Sequence, residues 1–256
     1  MKVYLLEVKS LSKHFGGVRA VEDVSFNTKS RTIFSIIGPN GAGKTTLFNC
    51  LTGFLKPTKG NIIFSDRDIS GFSPDKISRM GMSRTFQNIR LFKEMTVIEN
   101  VMVAQHSKIR SGLLSAIIRS PSFKQEELTI KERSFEYLEL LGLENYKDNI
   151  SGSLPYGIQR KLEIARALAT EASLLLIDEP TAGMNPQETE EMMTTIRNLR
   201  DLGKTVILIE HDMRVVMGIS ERIIVLDHGV KIAEGTPDEI KNNPMVIEAY
   251  LGKETP

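Results

Sequence analysis

The sequence predicts an α/β fold: a parallel sheet covered by helices on both faces, a small antiparallel sheet, and an inserted helical subdomain. Three observations lead there. Short continuous apolar runs at residues 32–37, 174–177, 206–209 and 223–226 have the length of strands buried on both faces. Segments with helix start and stop signals alternate with these runs. From residue 95 to 168 the strand texture gives way to helical periodicity.

Taken in order, residues 4–8, 21–26 and 32–37 read as strands, with turn signals at Gly16-Gly17 and Lys29-Ser30, so a small antiparallel sheet is expected near the start. Residues 46–52 read as a helix stopped by Gly53. A strand at 61–64 follows Pro57-Thr58-Lys59-Gly60, and Ser73-Pro74-Asp75 has the form of an N-cap and first turn. Helical spacing is clearest at 130–141 and 158–168. In the last third, Asn185-Pro186 with Glu188, and Thr236-Pro237-Asp238-Glu239, combine a cap, a proline in the first turn and a capping carboxylate. The expected organisation is one domain over 1–256, with 1–94 and 169–256 as the core and 95–168 as the helical insert.

Bulk properties weigh against several classes. The 256 residues carry 33 Lys and Arg against 32 Asp and Glu, so there is no basic field of the kind that marks a dedicated nucleic-acid binder. The hydrophobic fraction, 41%, suits a globular chain with a substantial core. No apolar run approaches the roughly 20 residues that span a bilayer, and the N-terminus lacks a signal-peptide core, so the expectation is a soluble chain that reaches any membrane through partners. The single cysteine, Cys50, can form no internal disulfide and reads as a small apolar filler in a reducing compartment. His14 and His106 belong to no motif and read as structural.

Two constellations carry chemistry. Gly38-Pro39-Asn40-Gly41-Ala42-Gly43-Lys44-Thr45 fits G-x-x-x-x-G-K-[ST] and lies between an apolar strand and a helix, as a phosphate-binding loop requires. Its glycines let successive N–H groups face one anion, and the helix adds the positive end of its dipole. Residues 38–46 are therefore the candidate cradle for a nucleoside triphosphate, with Lys44 at the β- and γ-phosphates, Thr45 on Mg²⁺ and Thr46 beside it. Second, the apolar run at 174–177 ends in Asp178-Glu179, two adjacent carboxylates at the carboxyl end of a buried strand. Asp178 suits the Mg²⁺ shell, and Glu179 suits orienting and deprotonating the attacking water. A surface turn after a core strand is the alternative.

With what lies between them, these motifs resemble the nucleotide-binding cassette of an ABC transporter, over nearly the whole chain. The resemblance implies a P-loop NTPase with a RecA-like core. Phe86-Gln87 resembles the Q-loop, which implies that Gln87 senses Mg²⁺ and the attacking water. His211, within Ile209-Glu210-His211-Asp212, resembles the switch histidine at the γ-phosphate, and Phe15 resembles the aromatic residue that stacks on adenine. Leu154-Pro155-Tyr156-Gly157-Ile158 stands in place of the LSGGQ signature, which implies that Pro155, Tyr156 and Gly157 face the nucleotide of an opposing subunit. Thr181-Ala182-Gly183-Met184-Asn185-Pro186 resembles the D-loop.

Within that superfamily, the segment 84–100, the insert around Gly112-Leu113-Leu114, Glu210-His211-Asp212-Met213 and the tail through Ala249-Tyr250-Leu251-Gly252 are most similar to the longer ATP-binding subunit of bacterial branched-chain amino acid importers. This implies ATP and Mg²⁺ as cofactors, two transmembrane permease subunits, and a second ATPase subunit forming a heterodimer, with a homodimer possible in isolation. It also implies an extracytoplasmic substrate-binding protein, a peripheral place on the cytoplasmic face of the membrane, and no nucleic acid. Cassettes of another transport subfamily and non-transport ABC ATPases are the alternatives. Pro155, Ile158 and Asn185 depart from the superfamily pattern of Ser, Gln and Asp. Proline supplies neither the hydroxyl nor the N–H, so the face offered to the partner's nucleotide is expected to be weaker than this chain's own site.

Overall fold

The computed structural model describes residues 4–105 and 121–251, without the side chains of 121–124 and 251. His106, the insert around residues 112–114 and Gly252 lie outside the described residues. The chain forms two compact units, 1–84 with 173–256, and 85–172. The boundaries at 84/85 and 172/173 differ from the 94/95 and 168/169 that the onset of helical spacing suggests, because residues 85–94 carry no helix yet belong to the helical unit.

The first unit begins with a hairpin, β1 (Leu6–Phe15) and β2 (Val18–Thr28), longer than the alternating runs suggest and joined at Gly16-Gly17. β3 (Ile33–Ile37) is buried at every residue, and α1 (Lys44–Leu51) follows it. β4 (Lys59–Phe64) and the short β5 (Arg67–Asp68) complete an antiparallel sheet of order β2-β1-β4-β5. In α2 (Pro74–Arg79), Ser73 takes the N-cap position, but its hydroxyl donates to Asp75 Oδ1 at 2.5 Å and caps no backbone group. β6 (Met82–Arg84) closes this part of the unit.

In the second unit, α3 (Val97–Gln105), α4 (Pro121–Leu140) and α5 (Tyr156–Ala169) form the helical body. Asn100 is fully buried there, donating to the carbonyls of Phe92 and Thr96 and to Ser151 Oγ while accepting from the Phe92 N–H. On α5, Arg160 and Glu163 form a buried pair at 2.9 Å. Arg160 also donates to the carbonyls of Phe86 and Gln87, and Glu163 accepts from the Phe86 N–H at 3.2 Å, so the pair holds the 86–87 backbone.

The chain then returns to the first unit through β7 (Leu174–Asp178), α6 (Pro186–Asp201), β8 (Thr205–Ile209), α7 (Met213–Ile219), β9 (Arg222–Asp227), β10 (Val230–Gly235), α8 (Pro237–Lys241) and α9 (Pro244–Leu251). Both expected capping boxes are present. Asn185 accepts from the Glu188 N–H at 3.0 Å while Glu188 accepts from the Asn185 N–H at 2.9 Å, and Thr236 and Glu239 exchange the same bonds.

The second sheet has the order β10-β9-β3-β8-β7-β6, with β9, β3, β8, β7 and β6 parallel and β10 an antiparallel edge. Strand alternation sends Ile36 and Ile224 to one face, into a core shared with Leu47 and Phe48 of α1 and with Leu6 and Phe64 of the antiparallel sheet. Ile37, Ile223 and Val225 go to the other face, where Val216, Ile240 and Val246 of α7, α8 and α9 cover them. Helices thus cover both faces, which explains why these strands read as continuous apolar runs.

Burial raises the Glu163 carboxyl above its ordinary value of 4.5, against the opposing Phe86 N–H and Arg160. An acid with a raised folded pKa binds more protons when folded, so this pair's stability falls as pH rises through the window above 4.5. Arg160→Met leaves that carboxylate buried without its guanidinium and should cost about 3–5 kcal/mol. The deficit in melting temperature, measured by circular dichroism, should be larger at pH 8 than at pH 5; an equal deficit at both would show that only packing is lost.

Candidate functional site

In a parallel sheet the loops that leave the carboxyl ends of the strands share one edge, and ligands bind there. Three such loops meet at this edge. The phosphate-loop sequence leaves β3, Glu179 leaves β7, and Glu210-His211 leave β8, which lies between those two strands. The register aligns them: Ile36 and Asp178 both pair with Ile209, and the Glu179 N–H donates to the Ile209 carbonyl at 2.9 Å.

The loop takes its shape from its glycines. Gly43, the N-cap of α1, has φ 96°, a left-handed conformation, and a Cβ there would lie 2.3 Å from the Ala20 carbonyl oxygen. No side chain caps α1 and no acid sits in its first turn, so its N-terminal N–H groups and dipole are directed toward an external anion. Lys44 lies across the loop, donating from Nζ to the carbonyls of Gly38 at 2.6 Å and Pro39 at 2.9 Å. Burial lowers its pKa below 10.5, while the nearby carboxylates of Glu179 and Asp178 act in the opposite direction. That coupling places the lysine and both carboxylates in one electrostatic field. Thr45 is exposed and Thr46 half-buried on the same first turn.

Asp178 is buried at the end of β7, and Arg84 Nη2 donates to its Oδ2 at 2.9 Å. Glu179 adopts φ 47°, an uncommon conformation for a residue with a Cβ. Its Oε1 lies 3.8 Å from His211 Nδ1. His211 is exposed, and Glu210 beside it is fully buried. Glu210 accepts from the Thr181 N–H and hydroxyl and from the His211 and Asp212 N–H groups, which ties the turn after β7 to the turn after β8. Phe15, at the end of β1, is exposed with Lys13 Nζ 5.0 Å from its ring centre. Cys50 is buried on α1 and its thiol is pushed up to about 11 by burial, in keeping with a filler.

On the outer side, Gly229 N donates to the Ala42 carbonyl at 3.2 Å, and α9 brings Tyr250 to Gly38. Burial raises the Tyr250 phenol above 10.0, countered by a hydrogen bond from the Gly38 backbone. Gln87, Pro155, Tyr156 and Gly157 belong to the other unit. Gln87 is an exposed side chain on the backbone held by Arg160, and Pro155 is the N-cap of α5, which has no side-chain cap.

A divalent cation fits this edge in one respect that the donors themselves decide. Among the described residues no three carboxylate, imidazole or thiolate groups are arranged so that together they could hold a metal ion. Asp178 and the Thr45 hydroxyl are hard oxygen donors, as Mg²⁺ prefers, and too few to hold it without phosphate oxygens and water. The sequence reading gave no role to Arg84, Glu210 or Tyr250. Arg84 was hidden because β6 has only three residues, and the contact of Tyr250 joins positions 212 residues apart, which no local pattern reports.

A family model described as ABC transporter matches residues 21–182, and one described as branched-chain amino acid ATP-binding cassette transporter matches 230–255. The chain is 50% identical over 250 residues to the high-affinity branched-chain amino acid transport ATP-binding protein LivG of Salmonella typhimurium, covering 97% of this chain and 98% of that protein. It is 47% identical to BraF of Pseudomonas aeruginosa, with the same coverage. Among solved structures, an ATP-binding cassette of an ABC transporter in its ADP conformation matches with a TM-score of 0.86 at 32% identity, covering 98% of this chain and 100% of that one. A dimeric cassette bound to ADP and phosphate matches with a TM-score of 0.75 at 27% identity, covering 91% and 98%.

Gly43→Ala should therefore forfeit both the backbone conformation and the fit against β2. Gly142→Ala, at φ 67° with nothing within 4 Å of the added Cβ, bears the conformational cost alone, about 1 kcal/mol. Thermal melts should show the larger loss in Gly43→Ala, and only that variant should lose binding of a fluorescent ATP analogue.

Proposed function

The chain belongs to the ABC transporter family as one of its ATP-binding cassettes, and on that premise we propose that it hydrolyses ATP to power uptake of branched-chain amino acids. The observation that carries the reading is the joint position of the Lys44 loop, Asp178-Glu179 and His211 on one edge of the parallel sheet. In this reading, loop N–H groups and Lys44 bind the phosphates, and Phe15 stacks on adenine. Thr45 and Asp178 would hold Mg²⁺, which when bound would supply charge neutralisation to the nucleotide's phosphates. Glu179 orients the attacking water and takes its proton. His211 and Gln87 position the γ-phosphate and that water. Catalysis then consists of positioning and electrostatic stabilisation.

The branched-chain substrate rests on the relatives' names and on the C-terminal family match. No helix among the described residues is long and apolar enough to cross a membrane, and in this reading the permeation path belongs to partners. We assign those partners as two transmembrane permeases, a second ATPase subunit and, indirectly, an extracytoplasmic binding protein, with this chain peripheral on the cytoplasmic face. The segment from Gln87 to Glu99 carries closure to the permeases. Pro155 lacks the donors that a serine gives, so the heterodimer has two unequal sites. The stronger uses this chain's core and the partner's signature, and the weaker lacks one hydrogen bond of about 1.5–3 kcal/mol.

In the assembled transporter, Glu179→Gln should lower ATP turnover at least about 100-fold while nucleotide still binds, as loss of a general base does. Turnover near wild type would remove Glu179 from the mechanism and this chain's site from the competent role.

A further inference from the structure

Arg84 is the last residue of β6 and of its unit before the chain passes to residue 85. In the β6–β7 register it lies opposite Leu176, so Asp178 is the next residue on the same face of the neighbouring strand. A long side chain reaches that diagonal. The guanidinium meets Asp178 Oδ2 at 2.9 Å, with side-chain exposures of 6% and 5%. Its Nη1 donates to Asn49 Oδ1 at 2.6 Å, and its plane lies 5.5 Å from the Phe48 ring centre, so α1 fixes its direction. Withdrawing two charges from water is costly, and a neutral hydrogen-bonding partner would hold the strand end for less. The arginine's charge therefore has a role beyond packing.

We propose that Arg84 is a positioning residue that acts as the resident counter-cation of Asp178 and sets the Mg²⁺ concentration at which the nucleotide complex forms. This rests on Asp178 being the metal carboxylate. A carboxylate already neutralised by a guanidinium attracts a divalent ion less strongly than a bare one, and the penalty is electrostatic. Mg²⁺ sheds its water reluctantly and takes one or two carboxylates together with phosphate oxygens. With Arg84 present, Asp178 binds the ion only in company with the nucleotide's own negative charge. The arginine thereby suppresses loading of metal before ATP and keeps the carboxylate aimed at the carboxyl edge of the sheet.

The test is a Mg²⁺ titration of the full chain with a fluorescent, non-hydrolysable ATP analogue at fixed concentration. In Arg84→Gln the half-saturating Mg²⁺ concentration should fall about fivefold or more, as removal of one unit charge beside the site requires. Arg84→Lys, which keeps the charge, should stay within about twofold of wild type. An unchanged or higher midpoint in Arg84→Gln, or equal shifts in both variants, overturns the proposal. Asp178→Asn separates this from the reading beneath it. If Mg²⁺ dependence survives in Asp178→Asn, Asp178 itself is misassigned; if it is lost while Arg84→Gln titrates like wild type, only the role of Arg84 falls. Should Arg84→Gln not fold, the guanidinium nitrogen resonance that disappears in Arg84→Lys can be followed in wild type by NMR. It should shift when Mg²⁺ is added to the analogue complex, and a stationary resonance overturns the proposal.

Discussion

The alignment of β3, β8 and β7 is the constraint on which the rest of this site depends. Ile36, Ile209 and Asp178 are locked side by side by parallel pairing, and all three strands are buried throughout. Moving any of these strands by one residue would turn its apolar set from one face to the other. Register is therefore held by both cores at once, and the polar residues immediately past the strand ends inherit that precision. Glu179 illustrates the consequence: its N–H bond to Ile209 helps hold a left-handed backbone that an unconstrained glutamate would leave.

Burying carboxylates at such an edge is expensive unless each is satisfied. Glu210 is satisfied by Thr181 and by the two N–H groups that follow it, which converts a buried charge into a brace between two turns. Asp178 is satisfied by a charge instead, that of Arg84. The phosphate loop is supported in a third way, by backbone contacts from the β9–β10 turn and by Tyr250 of α9. Tyr250 lies within residues 230–255, the segment matched by the branched-chain family model, so that segment reaches the phosphate loop, whereas Gly229 precedes it.

The readable parts of this fold were those whose cause is local. Continuous apolar runs reported β3, β7, β8 and β9 because both faces are covered, and the Asn185 and Thr236 caps were legible because a capping box closes within four residues. The phosphate loop was legible for the same reason, since its glycines and helix lie in one stretch of chain. What escaped has non-local causes. β6 is too short to carry periodicity, β10 is a mixed-polarity edge, and Ser73 was diverted from capping by a carboxylate two residues away. The pairs Arg84–Asp178 and Tyr250–Gly38 exist only because the sheet and the C-terminal helices bring distant positions together.

The same distinction bears on the departures from the superfamily pattern. Asn185 replaces an aspartate at a helix N-cap, where the two residues are nearly interchangeable, and it makes the full capping box. Its local structure is therefore intact, and any effect must come from the missing charge. Pro155 is likewise compatible with its position: it is the N-cap of α5 at φ −53°, which the proline ring prefers. No side chain caps the first turn of α5 behind it. These substitutions remove donors or charge without disturbing the backbone that presents them. The weakness proposed for that face is thus one of chemistry, since neither position departs from the backbone that its element requires.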